Sequence, residues 1–387
     1  MFLPPNPPSP HKGVCPEESH QAVPGTSEDL QLLEQSKAGF WLPDKEALPP
    51  VPLTGQTSCK DGCLPPLQAV RTGEHTRQRR EWRRAASPHP HPHPHPHPGA
   101  MPVQYVTYEG IKFPPAYNSE QSLSFAHNEF LVRDDDIFNV TYPKSGTVWM
   151  TEILSLICSH GCPSWSRGVL NSDRMPWFST RLGLESALSY PSPRLLTCHL
   201  PRHIFPKSFS HSSAKVIYTL RDPRDVVVSY YYFSKMCNSY EDPTSFEQFL
   251  GDFLSGELPH GSWFEHVQGW MEMKDMENFF FITYEELKQD LHGSVRRLCQ
   301  FLGQDLDEEA ISSVVQNASF TAMRENPMCS SILLPADIMD QTKGQFLRKG
   351  ICGDWENHFT VAQSETFNKI YQERMQGLNM KFPWDRH

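Results

Sequence analysis

Hydrophobic residues are spread unevenly along the 387-residue chain. Residues 1–100 contain few sustained apolar runs, whereas residues 101–387 alternate short apolar runs with segments of helical spacing. Ile137-Phe138-Asn139-Val140 opens a strand pattern over 137–142; Leu195–Cys198, Lys215–Leu220 and Phe279–Tyr284 read as three more. The last two are almost continuously apolar, as strands buried on both faces are. Apolar residues at 150, 153, 154 and 157 have helical spacing, and similar patterns cover 226–236, 245–255, 263–273 and 285–302. Alternation of this kind predicts an α/β fold with right-handed crossovers, in which a central, mainly parallel sheet is flanked by helices in three layers. Ligands of such sheets bind at the carboxyl ends of the strands.

Composition divides the chain at the same place. Nineteen of the 35 prolines lie in residues 1–100, which end in an alternating Pro-His tract over 88–98. Proline at every second position removes backbone donors and blocks helix, so 1–100 is expected to be a disordered, low-complexity extension and 101–387 the globular domain. The His-Pro tract suits either a solvated linker or a transition metal, and the arginines at 77, 79, 80, 83 and 84 form a small basic cluster. The extension holds ten basic and ten acidic residues, so the whole net charge of −10 falls on 101–387. An acidic domain argues against general nucleic-acid binding. No secretory signal and no membrane-spanning run is visible. The ten cysteines are irregularly spaced, and Cys158-Ser159-His160-Gly161-Cys162 matches metal-ligand spacing only loosely. Free thiols in a reducing cytoplasm are the expectation.

One corner carries the densest chemistry. Tyr142-Pro143-Lys144-Ser145-Gly146-Thr147-Val148-Trp149 joins the first strand to the first helix. Backbone N–H groups at the helix start, the helix dipole and a lysine make a phosphate cradle of the P-loop type. The lysine precedes the glycine instead of following it, which weakens an ATP-binding reading. Applied to the other strands, the carboxyl-end rule adds His199, then Arg221-Asp222-Pro223-Arg224-Asp225 with Ser229 one helical turn on, then Tyr284. Arginine at a helix start opposes the dipole, so Arg221 and Arg224 point to an anionic partner. Near the C-terminus, Arg348-Lys349-Gly350-Ile351-Cys352-Gly353-Asp354-Trp355 suits a loop closing over a phosphate, with a guanidinium fork and a glycine for close approach.

These three segments, in this order, resemble the cytosolic sulfotransferases over roughly residues 110–385. The stretches 261–264, 284–290 and 358–365 resemble the hydroxysteroid branch, closest to its cholesterol and 3β-hydroxysteroid members. The resemblance implies a 3′-phosphoadenylyl sulfate donor, an apolar alcohol acceptor and no metal. It implies that Lys144, Ser145, Gly146 and Thr147 hold the 5′-phosphosulfate, with Val148 in the same loop. Trp149 and Tyr284 would flank the adenine. Arg221, Ser229, Arg348, Lys349 and Gly350 would bind the 3′-phosphate, and Ser319, Phe320, Thr321 and Met323 would complete the adenosine pocket. His199 would be the general base and Lys144 the charge stabiliser. Trp177, Phe178, Tyr231, Tyr232 and Phe233 are candidates for the acceptor wall, as apolar pockets require.

Four positions depart from the family pattern. Val148 stands where Thr or Asn is usual, Asp222 where Asn is usual, and Cys198 precedes the histidine. In the family's dimerisation segment, spanning 356–365 here, Glu356 replaces a lysine while Thr360, Val361 and Glu365 fit, which weakens the homodimer expectation. A small-molecule kinase is a competing reading, opposed by the displaced lysine and by the lack of a separate Mg²⁺ signature. A nucleotide-binding regulator without turnover is another, opposed by the retained Lys144 and His199.

Overall fold

The computed structural model describes residues 102–386, which fall within one compact unit. The expected disordered extension over 1–100, with its His-Pro tract and arginine cluster, lies outside the described residues. Strands β3 (Ile137–Thr141), β4 (Leu195–Cys198), β5 (Lys215–Leu220) and β6 (Phe279–Thr283) form a four-stranded sheet in the order β4-β3-β5-β6. Every pairing is parallel, as the strand–helix alternation predicted. The four strands lie within one residue of their expected bounds.

Period-two alternation explains the layers. In β5, Val216, Tyr218 and Leu220 pack into one apolar cluster, while Ile217 packs into the other. Helices α1 (Glu120–Asn128), α4 (Pro223–Met236), α6 (Trp263–Met271) and α11 (Val361–Met375) supply the first cluster through residues such as Leu123, Val227, Trp270 and Phe367. Helices α2 (Thr147–Cys158), α8 (Leu291–Leu302) and α9 (Glu308–Asn317) supply the second through Ile153, Leu298 and Val314. The sheet is therefore covered on both faces. Further helices are α3 (Arg181–Ser189), α5 (Phe246–Ser255), α7 (Tyr284–Gln289) and α10 (Phe320–Glu325).

Two features differ from expectation. The single helix expected over 285–302 is two, α7 and α8. Asp290 separates them because its carboxylate accepts from the Gly293 N–H and caps α8. A hairpin of β1 (Val106–Tyr108) and β2 (Ile111–Phe113) precedes the sheet. Its two-residue turn holds Glu109 and Gly110 at positive φ, 48° and 78°, the backbone that a tight hairpin turn demands.

Candidate active site

The loop between β3 and α2 is held in a conformation that few sequences accept. Lys144 and Gly146 are both left-handed, with φ of 67° and 103°. A Cβ at Gly146 would lie 3.1 Å from the Tyr284 ring, so glycine is required there. Gly146 caps α2 without a side-chain hydrogen bond, which leaves first-turn N–H groups for an anion. Ser145 is fully buried and its Oγ has no partner. Lys144 Nζ lies over the rings of Phe233, at 4.2 Å, and Phe346, at 4.4 Å. Burial, then the Arg221 charge, pulls the Lys144 ammonium down to about 7.

His199 follows β4 directly. Because β3 and β4 run in parallel register with Val140 opposite Cys198, Thr141 and His199 emerge side by side. His199 Nδ1 lies 2.7 Å from the Thr141 carbonyl oxygen and 3.2 Å from Thr141 Oγ1. A carbonyl only accepts, so Nδ1 carries the proton and donates it, and Nε2 keeps its lone pair. Burial pushes the His199 imidazole down to about 4, opposed by the Thr141 hydrogen bond and aided by the nearby Lys144 charge. The ring is therefore a neutral base at pH 7. Trp177 stands edge-on to it with centroids 4.7 Å apart.

A second basic group lies beyond Tyr284. Arg221 follows β5, and its guanidinium sits 4.2 Å from the Tyr284 ring centroid. It donates to the carbonyls of Lys144 at 3.1 Å and Ile351 at 3.2 Å, while its buried Nε has no partner. Trp149 stands edge-on to Tyr284 at 5.0 Å and donates from Nε1 to the Ala318 carbonyl at 2.8 Å. That bond brings in Ser319, which caps α10. From α10, Met323 is buried and Thr321 is exposed. Phe320 packs so closely on Gly350, at φ 66°, that no Cβ fits there. Arg348 and Lys349 pair with the buried Asp354 at 2.8 and 2.6 Å. Burial alone would raise the Asp354 pKa, but hydrogen bonds from Lys349, Arg348 and Asn357 hold it well below the usual carboxylate range. Ser229 lines a narrow cleft with Lys144, Tyr232, Phe233 and Arg348. The three sequence motifs thus converge on one rim.

Several expected residues sit elsewhere. Phe178 has no exposed surface and packs on Phe130, Phe138 and Phe205 in the core. Consecutive helical residues point about 100° apart, so 231–233 cannot share one wall. Phe233 faces Lys144 and Tyr232 faces Arg348, but Tyr231 packs on Phe246 and Phe249. Arg224 does not reach the anion site; it pairs with Asp222 at 2.8 Å and stacks 4.1 Å from Trp355. The added charge of Asp222 is thereby neutralised. Val148 is half-buried in the first turn of α2. Among the described residues no group of three or more His, Cys, Asp or Glu side chains is placed to hold a metal ion.

The sequence pattern did not single out Phe346, and although it placed Asp225 and Glu285 at strand ends it did not show what they hold. Asp225 accepts from the N–H groups of Gly353 and Trp355 at 2.7 and 2.9 Å. Glu285 accepts from the Asp222 N–H at 3.1 Å, and burial raises its carboxyl to about 7. The run Tyr284-Glu285-Glu286 directly after an apolar strand was the available signal for Glu285.

A phosphate-loop α/β fold with a histidine at its rim has the parts that group transfer from an anionic nucleotide requires. Residues 134–379 match the sulfotransferase domain family, and the chain belongs to that family, in its hydroxysteroid branch. Sulfotransferase 2B1 of Mus musculus is 55% identical over 282 residues, 73% of this chain and 83% of the relative. The 3-beta-hydroxysteroid sulfotransferase of Cavia porcellus is 49% identical over 280 residues, 72% of this chain and 97% of the relative. Among solved structures, a mouse sulfotransferase complexed with PAP matches with a TM-score of 0.61 and 30% identity, over 71% of this chain and 95% of that one. Retinol dehydratase in complex with androsterone and PAP shares the fold, with a TM-score of 0.64 at 22% identity over 73% of this chain and 90% of that one.

Proposed function

We propose that the protein transfers the sulfuryl group of 3′-phosphoadenylyl sulfate to the hydroxyl of a hydroxysteroid or similar apolar alcohol. The carrying observation is the pairing of His199, with its Nε2 lone pair unprotonated, and Lys144 at the head of an uncapped helix. The donor fits the residues present. Ser145 Oγ and Arg221 Nε are buried polar atoms without protein partners. Lys144, Ser145, Gly146, Thr147 and Val148 would hold the 5′-phosphosulfate. Trp149 and Tyr284 would flank the adenine. Arg221, Ser229, Arg348, Lys349 and Gly350 would hold the 3′-phosphate, with Ser319, Phe320, Thr321 and Met323 around the adenosine.

The donor supplies an electrophilic sulfur and a stable leaving phosphate. His199 Nε2 accepts the acceptor's hydroxyl proton as its oxygen bonds sulfur in line with the breaking S–O bond. Lys144 and the α2 N–H groups stabilise the charge gathering on the leaving oxygen, as in phosphoryl transfer. Trp177 beside His199 and Phe233 beside Lys144 form the acceptor wall.

The test is transfer by the full chain from the sulfate donor to steroids, phenols and simple alcohols, with chelator present. Sulfation of a hydroxysteroid is expected, with a loss of about 10²–10⁴ in rate for His199→Ala and unchanged binding of adenosine 3′,5′-bisphosphate. Unchanged turnover in that variant removes His199 from the mechanism; donor binding without transfer to any acceptor removes the activity.

Residues 101–387 form the catalytic domain in this reading, and the protein works in the cytoplasm. The thiols of Cys158, Cys198, Cys237, Cys299, Cys329 and Cys352 support a reducing compartment. Glu356, Thr360, Val361 and Glu365 are exposed together, which supports a homodimer contact over 356–365, and sedimentation of the Val361→Glu variant tests it.

A further inference from the structure

Beside His199 stands a second imidazole that sulfuryl transfer, as described, leaves without a task. His260 is 9% exposed, and its ring is edge-on to His199 with centroids 5.1 Å apart. Phe113 packs against its other side at 5.4 Å. Its Nε2 lies 3.4 Å from the Tyr240 hydroxyl, while its buried Nδ1 has no partner. Buried polar groups are ordinarily paired, and leaving one unpaired is destabilising. His260 is also left-handed, with φ 71°, a conformation that is strained for a non-glycine residue.

The segment is nevertheless pinned at three consecutive residues. Tyr230 donates to the Pro259 carbonyl at 3.0 Å, the His260 N–H donates to the Lys112 carbonyl at 2.7 Å, and Tyr142 donates to the Gly261 carbonyl at 2.9 Å. Strain and an unpaired nitrogen, both fixed in place next to the base, are the signature of a functional position. Burial, then the neighbouring His199 and His266, holds the His260 imidazole well below its ordinary pKa. It is therefore a neutral hydrogen-bonding group at pH 7.

We propose that His260 is a positioning residue of the acceptor site, whose Nδ1–H donates to the oxygen of the acceptor alcohol while His199 takes its proton. The role takes the tautomer in which Nδ1 carries the hydrogen and Nε2 faces the Tyr240 hydroxyl as acceptor. In this role one oxygen bridges His199 Nε2 and His260 Nδ1, on rings whose centroids stand 5.1 Å apart. An alcohol oxygen has two lone pairs, one to attack sulfur and one to accept from His260. An amine has a single lone pair, which the attack consumes. His260 therefore selects hydroxyl acceptors over amines of the same shape.

This inference rests on the sulfuryl-transfer reading. The full chain is assayed as wild type, His260→Asn, His260→Phe and His260→Gly, with a hydroxysteroid and its amino analogue. Adenosine bisphosphate affinity and Tm are measured alongside. Asparagine tolerates φ near +70° and places an amide N–H close to Nδ1. For the alcohol, kcat/KM is expected to fall about tenfold in His260→Phe and to recover in His260→Asn. The amine should change little, and nucleotide affinity should stay the same. Equal losses for alcohol and amine, no loss, or asparagine no better than phenylalanine overturns the role. Should phenylalanine unfold the chain, His260→Gly takes its place, since glycine accepts this backbone. Absence of transfer in the wild type overturns the activity itself and is read separately.

Discussion

The proposed donor site has two arms, and they are built in opposite ways. Tyr142–Trp149 is a corner between a buried strand and a buried helix. Regular backbone bonds shape it, including Ser145 N–H to the Tyr142 carbonyl and Met150 N–H to the Gly146 carbonyl. Phe346–Trp355 is irregular until the short 3₁₀ turn Asp354–Asn357. Carboxylates hold it: Asp354 takes Arg348 and Lys349, and Asp225 takes two backbone N–H groups. The first arm positions charge through secondary structure, at the precision that chemistry requires. The second presents charge from irregular backbone held by side-chain pairing, which suits binding. Damage to the first should therefore appear in kcat, and damage to the second in donor affinity.

The largest effect that would sharpen this contrast comes from Lys144→Met. A loss of about 10²–10³ in kcat is expected, as for removal of a preorganised charge donor. Removing a buried ammonium whose pKa is already depressed to about 7 should leave Tm unchanged or higher. Thermal unfolding beside steady-state rates checks both halves, and a rate loss with collapsed Tm would break the contrast.

Gly350→Ala comes next. Phe320 occupies the Cβ position and φ is 66°, so the second arm must shift. Adenosine bisphosphate should bind at least about tenfold more weakly, while kcat at saturating donor stays within a few-fold. Asp354→Asn is milder. It loosens Arg348 and Lys349, so affinity should fall several-fold and Tm by a few degrees, since this carboxylate is buried and charged.

The smallest effect is a proton count. Lys144 titrates near 7, and an anion beside it favours the charged form. Its pKa therefore rises on nucleotide binding, and roughly half a proton is taken up at pH 7. Calorimetry in buffers of different ionisation enthalpy reads the number. Uptake should vanish in Lys144→Met, and net release in the wild type would contradict the assignment.

The first arm was legible in the sequence because its neighbours have strong periodicity. Ile137–Val140 and Met150–Ile157 bracket the loop and fix what it must be. The second arm was legible through its local composition, as Arg348 and Lys349 flanked by glycines and a tryptophan, and through its place as the third motif, with no periodic neighbours to fix its shape. Asp354 and Asp225 stood inside the motifs, but their task of holding this arm was not legible, because Asp225 meets Gly353 and Trp355 only once the fold brings distant segments together. The proposed acceptor wall was least legible. Phe178 and Tyr231 are aromatic like Phe233, yet only three-dimensional packing separates core from wall. His260 escaped notice for the same reason, being one histidine among 18 until the hairpin at Phe113 and the base at His199 frame it.

The measurement that bears most directly on the two arms is calorimetric binding of adenosine 3′,5′-bisphosphate against adenosine 5′-phosphate to the full chain. Two separate phosphate-binding arms predict that the 3′-phosphate strengthens binding by roughly 100-fold or more, as two charge-assisted hydrogen bonds would. Arg348→Ala should erase most of that gain. Equal affinity for the two nucleotides would contradict the second arm, and with it the reading of this site as a phosphosulfate donor site.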